Sequence, residues 1–320
     1  MAVVALERTA GPRMRRHEWI SILGRAARTK RGLTGLSLAG LVVLVAVIGP
    51  SVEPYSPTAL VPAIDFAKPS AKYLLGTDNL GRDVLSRLLD GGWELLAMAA
   101  IGTVIGVVLG AVLGITAAYA RGKADTLIMR TVDVILAFPG LVFILVLVSI
   151  AGPSAWLITL AVGFAHAPPV ARVLRSATLD ISERDFVRAA ELQGEKSWTI
   201  MVREILPNLI SPLMVESGLR LTYSILEIAG ISFLGFGLPP PTPSWGQMIN
   251  ENRIGISANP WAVLAPAILI ALLTIGTNTF TDAVARVAIG VERKDEDATV
   301  AHSLAAADVA IGSHIPAEAE

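Results

Sequence analysis

Three ionisable residues, Glu216, Arg220 and Glu227, stand in a stretch that is otherwise apolar enough to lie in hydrocarbon. Positions four apart share a helix face, so Glu216 and Arg220 can neutralise each other. Glu227 follows seven residues later, roughly 10 Å further along a helix that rises about 1.5 Å per residue. A charged carboxylate at the centre of a bilayer costs on the order of 2.5–3.5 kcal/mol on insertion scales, so it must face protein or water. Two roles stay open for it: a hydrogen bond at a helix interface, or a lining position on a solute path. Other candidates for chemistry are weaker. The histidines His17, His166, His302 and His314 are too scattered to gather a metal. His166, beside Pro168 and Pro169 near the cytoplasmic end of an apolar run, reads as a packing residue. The chain has no cysteine, which excludes disulfides, thiolate metal sites and a cysteine nucleophile. Asp65, Asp78, Asp83 and Asp90 share a loop that reads as a scaffold, and the methionines form no soft-metal cluster. Gly194-Glu195-Lys196-Ser197 is the nearest approach to a phosphate-binding loop, but it lacks the first glycine and the Gly-Lys adjacency. No metal, no bound cofactor, no catalysis and no nucleic-acid partner are therefore expected of this chain.

With 53% hydrophobic and 17% charged side chains in 320 residues, the chain is too apolar for an ordinary soluble domain. Residues 1–31 carry eight basic side chains against two acids and read as a retained cytoplasmic tail with no cleavage site. Residues 32–52 are uncharged and long enough to cross roughly 30 Å of hydrocarbon. An external segment, 53–94, precedes a permeating core at 95–292. Its first crossing covers 95–120. The uncharged run 134–171 is too long for one span, and Gly152-Pro153 divides it into a hairpin near 151–154. A fifth crossing falls at about 209–234 and a sixth within 254–281, from near Trp261. Residues 293–320 read as a cytoplasmic tail that is disordered or forms a transient helix, with no hydrophobic face worth a domain. Six crossings place both termini on one side. Arg121, Lys123 and Arg130, the basic residues of loop 172–211, and Arg286, Arg293 and Lys294 put that side in the cytoplasm.

Gly102, Gly106, Gly110 and Gly114 recur every fourth residue, forming a smooth helix face on which another backbone can close. Loop 172–211 is charged and helix-prone. Ser182 is placed to cap a helix there, with Asp185 three positions on. Phe186, Ala189, Ala190 and Gln193 share a face at helical spacing, with Val187 at its edge. Gly194 permits a sharp turn, a second helix spans 197–206, and Pro207 is expected to end it. The small Ala189-Ala190 face offers little area for lipid immersion and suits a fitted protein groove.

Ala189-Ala190-Glu191-Leu192-Gln193-Gly194, thirteen residues before Pro207, resembles the coupling-loop signature of bacterial ABC-importer permeases. Arg188 departs from the glutamate of the wider family pattern, as is frequent in its peptide branch. Leu75-Gly76-Thr77-Asp78-Asn79-Leu80-Gly81-Arg82-Asp83-Val84-Leu85-Ser86-Arg87 resembles the external segment of the dipeptide/oligopeptide/nickel permeases. Ile231-Ser232-Phe233-Leu234-Gly235-Phe236-Gly237 with Pro241-Thr242-Pro243-Ser244-Trp245-Gly246 resembles the end of their fifth span and its following loop. The likeness covers about 32–292. It implies an all-α integral membrane protein of the type I ABC-importer permease fold, in the bacterial inner membrane, importing dipeptides or oligopeptides. It implies a second homologous permease subunit, two subunits that bind ATP and magnesium, and an external substrate-binding protein. The implied docking residues for the ATPase are Asp185, Phe186, Arg188, Ala189, Ala190, Glu191, Gly194 and Pro207. Thr77, Asp78, Gly81, Arg82, Asp83 and Trp245 are expected as external-face contacts. Within this architecture nickel chelate, glutathione or another small solute is the alternative cargo. A proton-coupled secondary transporter and a membrane-embedded enzyme are the readings from other classes.

Overall fold

Apolar runs punctuated by glycine, proline and charge dictate where the helices begin and end. The computed structural model describes residues 18–60 and 65–312, with side chains as far as Gly290. Helix α1 (Glu18–Arg28) leads into α2 (Lys30–Val52), whose first turn is capped by the Thr29 hydroxyl accepting from the Gly32 N–H at 3.0 Å. Short α3 (Val84–Asp90) precedes α4 (Trp93–Ala120), α5 (Gly122–Leu136) and α6 (Gly140–Ala151). Ser154 caps the N-terminus of the long α7 (Ala155–Ser182) by accepting from the Leu157 N–H. Next come α8 (Asp185–Leu192) and α9 (Ser197–Ile200). After α9 the chain stays helical through a π turn (Met201–Ile205) and a 3-10 turn (Leu206–Leu209) into α10 (Ile210–Ile231). Helix α11 (Trp245–Asn252) and α12 (Trp261–Gly312) complete the described chain. The described residues hold two isolated bridges, Leu60 with Arg82 and Thr77 with Asp83, and no longer strand pairing. The protein is all-α. Five of its helical segments are long and apolar enough to cross a membrane, and α5 with α6 makes a sixth if the bent pair is one span.

That bend is the first departure from expectation. The uncharged run 134–171 hides a break at Ala137-Phe138-Pro139, where α5 and α6 meet at 78°. Pro139 cannot donate a backbone hydrogen bond, and it disfavours helical backbone at Phe138. A second departure concerns α7, which runs through Pro168 and Pro169 to Ser182. His166 consequently lies in mid-helix. Ser182 closes α7 instead of capping α8, for which Arg184 occupies the cap position. Pro207 does not end a helix either; it sits at the start of the 3-10 turn, where a missing N–H is tolerated. Finally, α12 remains helical to Gly312, the second of the two forms open to this tail. No proline or glycine interrupts residues 291–311, and Ala305-Ala306-Ala307 favours helix. Residues 1–17 and 313–320 of the two tails lie outside the described residues.

Backbone proximity organises the bundle. A Cβ added to Gly106 would stand 2.7 Å from the His166 Cβ and 2.9 Å from the Gly163 carbonyl oxygen. One added to Gly110 would meet the Val170 Cβ at 2.5 Å, and one on Gly114 the Ala171 oxygen at 2.5 Å. Gly102 faces Thr159 and Val162 in the same way. All four glycines therefore press α4 onto α7. A reciprocal contact that the sequence did not reveal joins α2 to α12: a Cβ on Gly35 would reach the Gly276 oxygen at 2.8 Å, and one on Gly276 the Gly35 oxygen at 2.9 Å. Toward the loops that follow α2 and α10, the core is built on Leu95, Ile144, Ile158, Ile225 and Trp245. A separate cluster of Leu174, Ile181, Val187, Ile200 and Leu209 joins α7 to the α8–α9 protrusion.

Overpacking a tight core typically costs about 1–3 kcal/mol. Gly106→Leu is therefore expected to lower the unfolding temperature and yield of the purified subunit. Gly40→Ala, with no atom within 4 Å of the new Cβ, leaves both unchanged. Equal yield and melting for Gly106→Leu and wild type would refute the seam.

Candidate functional site

The broken span creates a cleft of about 390 Å³. Phe138, Pro139 and Gly140 line it from the break, His166 from α7, and Arg220 and Glu227 from α10. Glu216 and Arg220 do pair, with Nε to Oε2 at 3.2 Å, and the guanidinium sits 5.1 Å from the Tyr223 ring centroid. Glu227 is brought to His166, not to Arg220: its Oε2 lies 3.3 Å from the imidazole Nε2. Its other oxygen would be 3.3 Å from a Cβ on Gly140, so the carboxylate sits against the first residue of α6. The positive end of that helix, with unpaired backbone N–H groups in its first turn, favours an anion there. The sequence did not associate His166 with Glu227, because 61 residues separate them and the helix break that frames both is concealed in an uncharged run.

Helices α8 and α9 form a protrusion hinged at Gly194, whose φ of +77° is a conformation that side chains resist. The face turned to the rest of the chain is distinct from the small-residue face. Val187 and Ala190 point into the cluster at the base of α7, with Phe186 half-buried, while Asp185, Arg188, Ala189, Glu191 and Gln193 are exposed. Val187 offers more apolar area than Ala189, so its burial sets the helix rotation. Leu192 is 89% exposed and Trp198 67% exposed. Leu192, at the end of α8, is a large apolar side chain left in the open on the protrusion, whereas Trp198 lies beside Val108 and Val112 of α4. The protrusion is connected to the cleft through α7. Arg175 holds Asp125 of α5 with two hydrogen bonds of 2.6 Å, and Arg172 holds Asp133 at 2.6 Å. In the sequence these arginines counted only as basic loop charge; their aspartate partners lie 39 and 50 residues away.

The proposed external contacts need correction. Thr77, Asp78, Arg82, Asp83 and Trp245 are all buried, as is the Gly81 backbone. Asp78 accepts from Arg82 Nε at 2.6 Å and lies 3.3 Å from Arg87 Nε. Both arginines reach Glu251 of α11, at 2.9 and 3.1 Å. Asp83 caps α3 through the Ser86 N–H, and Thr77 Oγ1 accepts from the Ala67 N–H. Trp245 donates its indole N–H to the Leu88 carbonyl at 2.8 Å. Asn252 and Asn259 bind the backbone of the same loop. These groups form an internal clasp between the segment before α4 and the loop after α10. The external-contact role was what the resemblance implied, whereas the loop's reading as a scaffold fits this arrangement; Asp78, Arg82, Arg87 and Glu251 tolerate burial because they pair with one another. Leu74, Leu80 and Ile254 are what this region exposes. Among the described residues no three His, Cys, Asp or Glu side chains are grouped to hold a metal.

The profile of a family described as the binding-protein-dependent transport system inner membrane component matches residues 92–288. The dipeptide transport system permease protein DppC of Alkalihalophilus pseudofirmus is 32% identical over 264 residues, covering 82% of this chain and 87% of that protein. The di/tripeptide permease protein DppC of Pseudomonas aeruginosa is 35% identical over 262 residues, covering 80% and 86%. The glutathione permease protein GsiD of Escherichia coli is 33% identical over 268 residues, covering 83% and 88%. A solved inward-facing structure of the MetNI methionine ABC transporter aligns at 20% identity with a TM-score of 0.49, covering 62% of this chain and 96% of that one.

Removing one partner of a buried ion cluster costs about 3–5 kcal/mol. Asp78→Asn is therefore expected to lower the melting temperature of the purified subunit sharply, while Leu80→Ala, at an exposed site, leaves it within a degree or two. Equal melting of the two variants would show that the clasp does not hold this region.

Proposed function

The chain belongs to the family of binding-protein-dependent transport system inner membrane components, and from that premise we propose that it is one permease subunit of an ATP-driven peptide importer. It is a multi-pass membrane subunit that supplies half of a translocation path. A second, homologous permease subunit supplies the other half. Two ATP-binding subunits, carrying ATP and magnesium, deliver the work, and an external binding protein delivers the cargo. Membership in this family leaves the proton-driven carrier and the membrane-embedded enzyme without support.

The observation that carries this reading is the exposed face of the protrusion next to its buried one. Leu192 is offered outward, while Val187, Ala190 and Ile200 fasten the same element to α7. A load applied at Leu192 passes into α7, and from there through Arg175–Asp125 and Arg172–Asp133 into α5 and the broken span. Closure of the ATP-bound subunits would shift the protrusion, and the equilibrium between inward- and outward-open paths would follow. Asp185, Arg188, Ala189 and Glu191 present polar and small contacts around the apolar ones. Gly194 supplies the bend, and Pro207 lies in the turn leading into α10.

Short peptides are the cargo proposed, on the strength of the relatives named for dipeptide and di/tripeptide transport. Glutathione, itself a tripeptide, is the second cargo reading, favoured by relatives that carry that name. Peptide-stimulated ATPase of the reconstituted assembly, tested with dipeptides, tripeptides and glutathione, decides between them.

Ala189→Arg and Leu192→Glu alter exposed positions only, so the isolated subunit should melt as wild type does. Both are expected to reduce copurification of the ATP-binding subunits at least about tenfold, a loss of roughly 1.4 kcal/mol or more. Undiminished copurification, measured by quantitative densitometry, would move the docking surface elsewhere.

A further inference from the structure

The cleft at the α5–α6 break has a property that packing alone does not require. Its lining holds one carboxylate, Glu227, and one guanidinium, Arg220, but Arg220 is in contact with Glu216, which lies outside the lining, and the ion-pair partner within 4 Å of Glu227 is His166. Glu227 Oε2 and His166 Nε2 face each other at 3.3 Å without making a hydrogen bond, although His166 is 3% exposed. With Arg220 turned to Glu216, Glu227 has no arginine or lysine within ion-pair distance among the described residues, a deficit that a cation in the cleft would relieve. The opposite wall supplies a further acceptor. Pro169 has no N–H to return to the carbonyl of Ala165, and both residues line the cleft. At the other end, Arg220 touches Glu216 through Nε, and among the described residues its terminal nitrogens donate no hydrogen bond. They remain able to bind a carboxylate as a fork.

The geometry points to a subsite for a zwitterionic short peptide: the α-ammonium group meets Glu227 and the Ala165 carbonyl, and the terminal carboxylate meets Arg220. The proposal rests on the peptide-importer reading. Its length scale follows from the helix. Seven residues of α10 separate Arg220 from Glu227, roughly 10 Å at about 1.5 Å per residue. An extended chain covers at most about 3.3–3.6 Å per residue, so a tripeptide spans the two charges and a dipeptide reaches both only if side chains lean inward. The volume, about 390 Å³, falls within the roughly 300–1,000 Å³ of small-molecule sites. Tyr223 and Phe143 also line the cleft and give an apolar wall for peptide side chains of varied shape. A charge-defined pair of ends with an undemanding wall is what a carrier of many sequences needs.

The test uses the whole assembly in proteoliposomes, with both permease subunits, the ATP-binding subunits and saturating external binding protein. Uptake of trialanine is compared with uptake of propionyl-Ala-Ala, which lacks only the ammonium group. In wild type the des-amino analogue should enter more slowly. Glu227→Gln should bring trialanine down about tenfold, the scale of a lost hydrogen bond to a charged group, to the rate of the analogue, and leave the analogue's own rate unchanged. Glu227→Asp should restore part of the difference. Equal slowing of both cargoes by Glu227→Gln would assign the residue to packing and overturn the subsite, as would no slowing of either. Failure of the wild-type assembly to take up any peptide would instead overturn the importer reading from which the subsite follows.

Discussion

Everything in this molecule depends on how closely α4 and α7 approach. Gly102, Gly106, Gly110 and Gly114 leave no Cβ between the helices, so carbonyls and side chains of α7 rest directly on the α4 backbone. Dispersion across so short a gap is spread over the whole length of the seam, and it fixes the axial position of α7. That position sets where His166 stands in the cleft. It also sets where the base of α7 meets α8 and α9. One rod therefore touches both the place where solute chemistry is available and the place where a partner can push.

Charge is distributed in keeping with that mechanical role. Where no movement is wanted, in the clasp of Asp78, Arg82, Arg87 and Glu251, each ionised group has a close counter-ion and the side chains are sealed. Around the cleft the pairing is incomplete, and Glu227 is left with a histidine neighbour and the first turn of α6. A sealed network resists rearrangement because opening it exposes several unpaired charges at once. An open one can exchange partners. The contrast separates a static outer scaffold from an inner surface able to meet a passing solute.

Much of this was legible in the residues. Charge-free runs marked α2 and α4, Gly152-Pro153 marked the hairpin, and the fourfold glycine period marked the seam. The charge spacing of Glu216 and Arg220 anticipated their ion pair. What stayed hidden was whatever depends on residues distant in sequence or on competition between local preferences. The break at Pro139 lay within the first of the two crossings into which Gly152-Pro153 divides the uncharged run, and its uniform hydrophobicity hid it. Val187, at the edge of the small-residue face, anchors α8 to the chain by packing with Ile181 and Ile200, contacts that the local pattern does not show. The Thr77–Asp83 loop read as a scaffold, but nothing in its own sequence reveals that Glu251 closes over it. Ser182 had the chemistry of a cap, but the helix before it ran on far enough to absorb it.

The central claim is that work enters the membrane helices through the protrusion around Gly194. Because the natural chain has no cysteine, a single Leu192→Cys substitution creates a unique site for cross-linking to a cysteine in the ATP-binding subunit of an active assembly. The account predicts a disulfide cross-link that abolishes peptide-stimulated ATPase and full recovery when the link is reduced. Efficient transport with no cross-link at Leu192, accompanied by ready cross-linking from exposed Leu127, would contradict it.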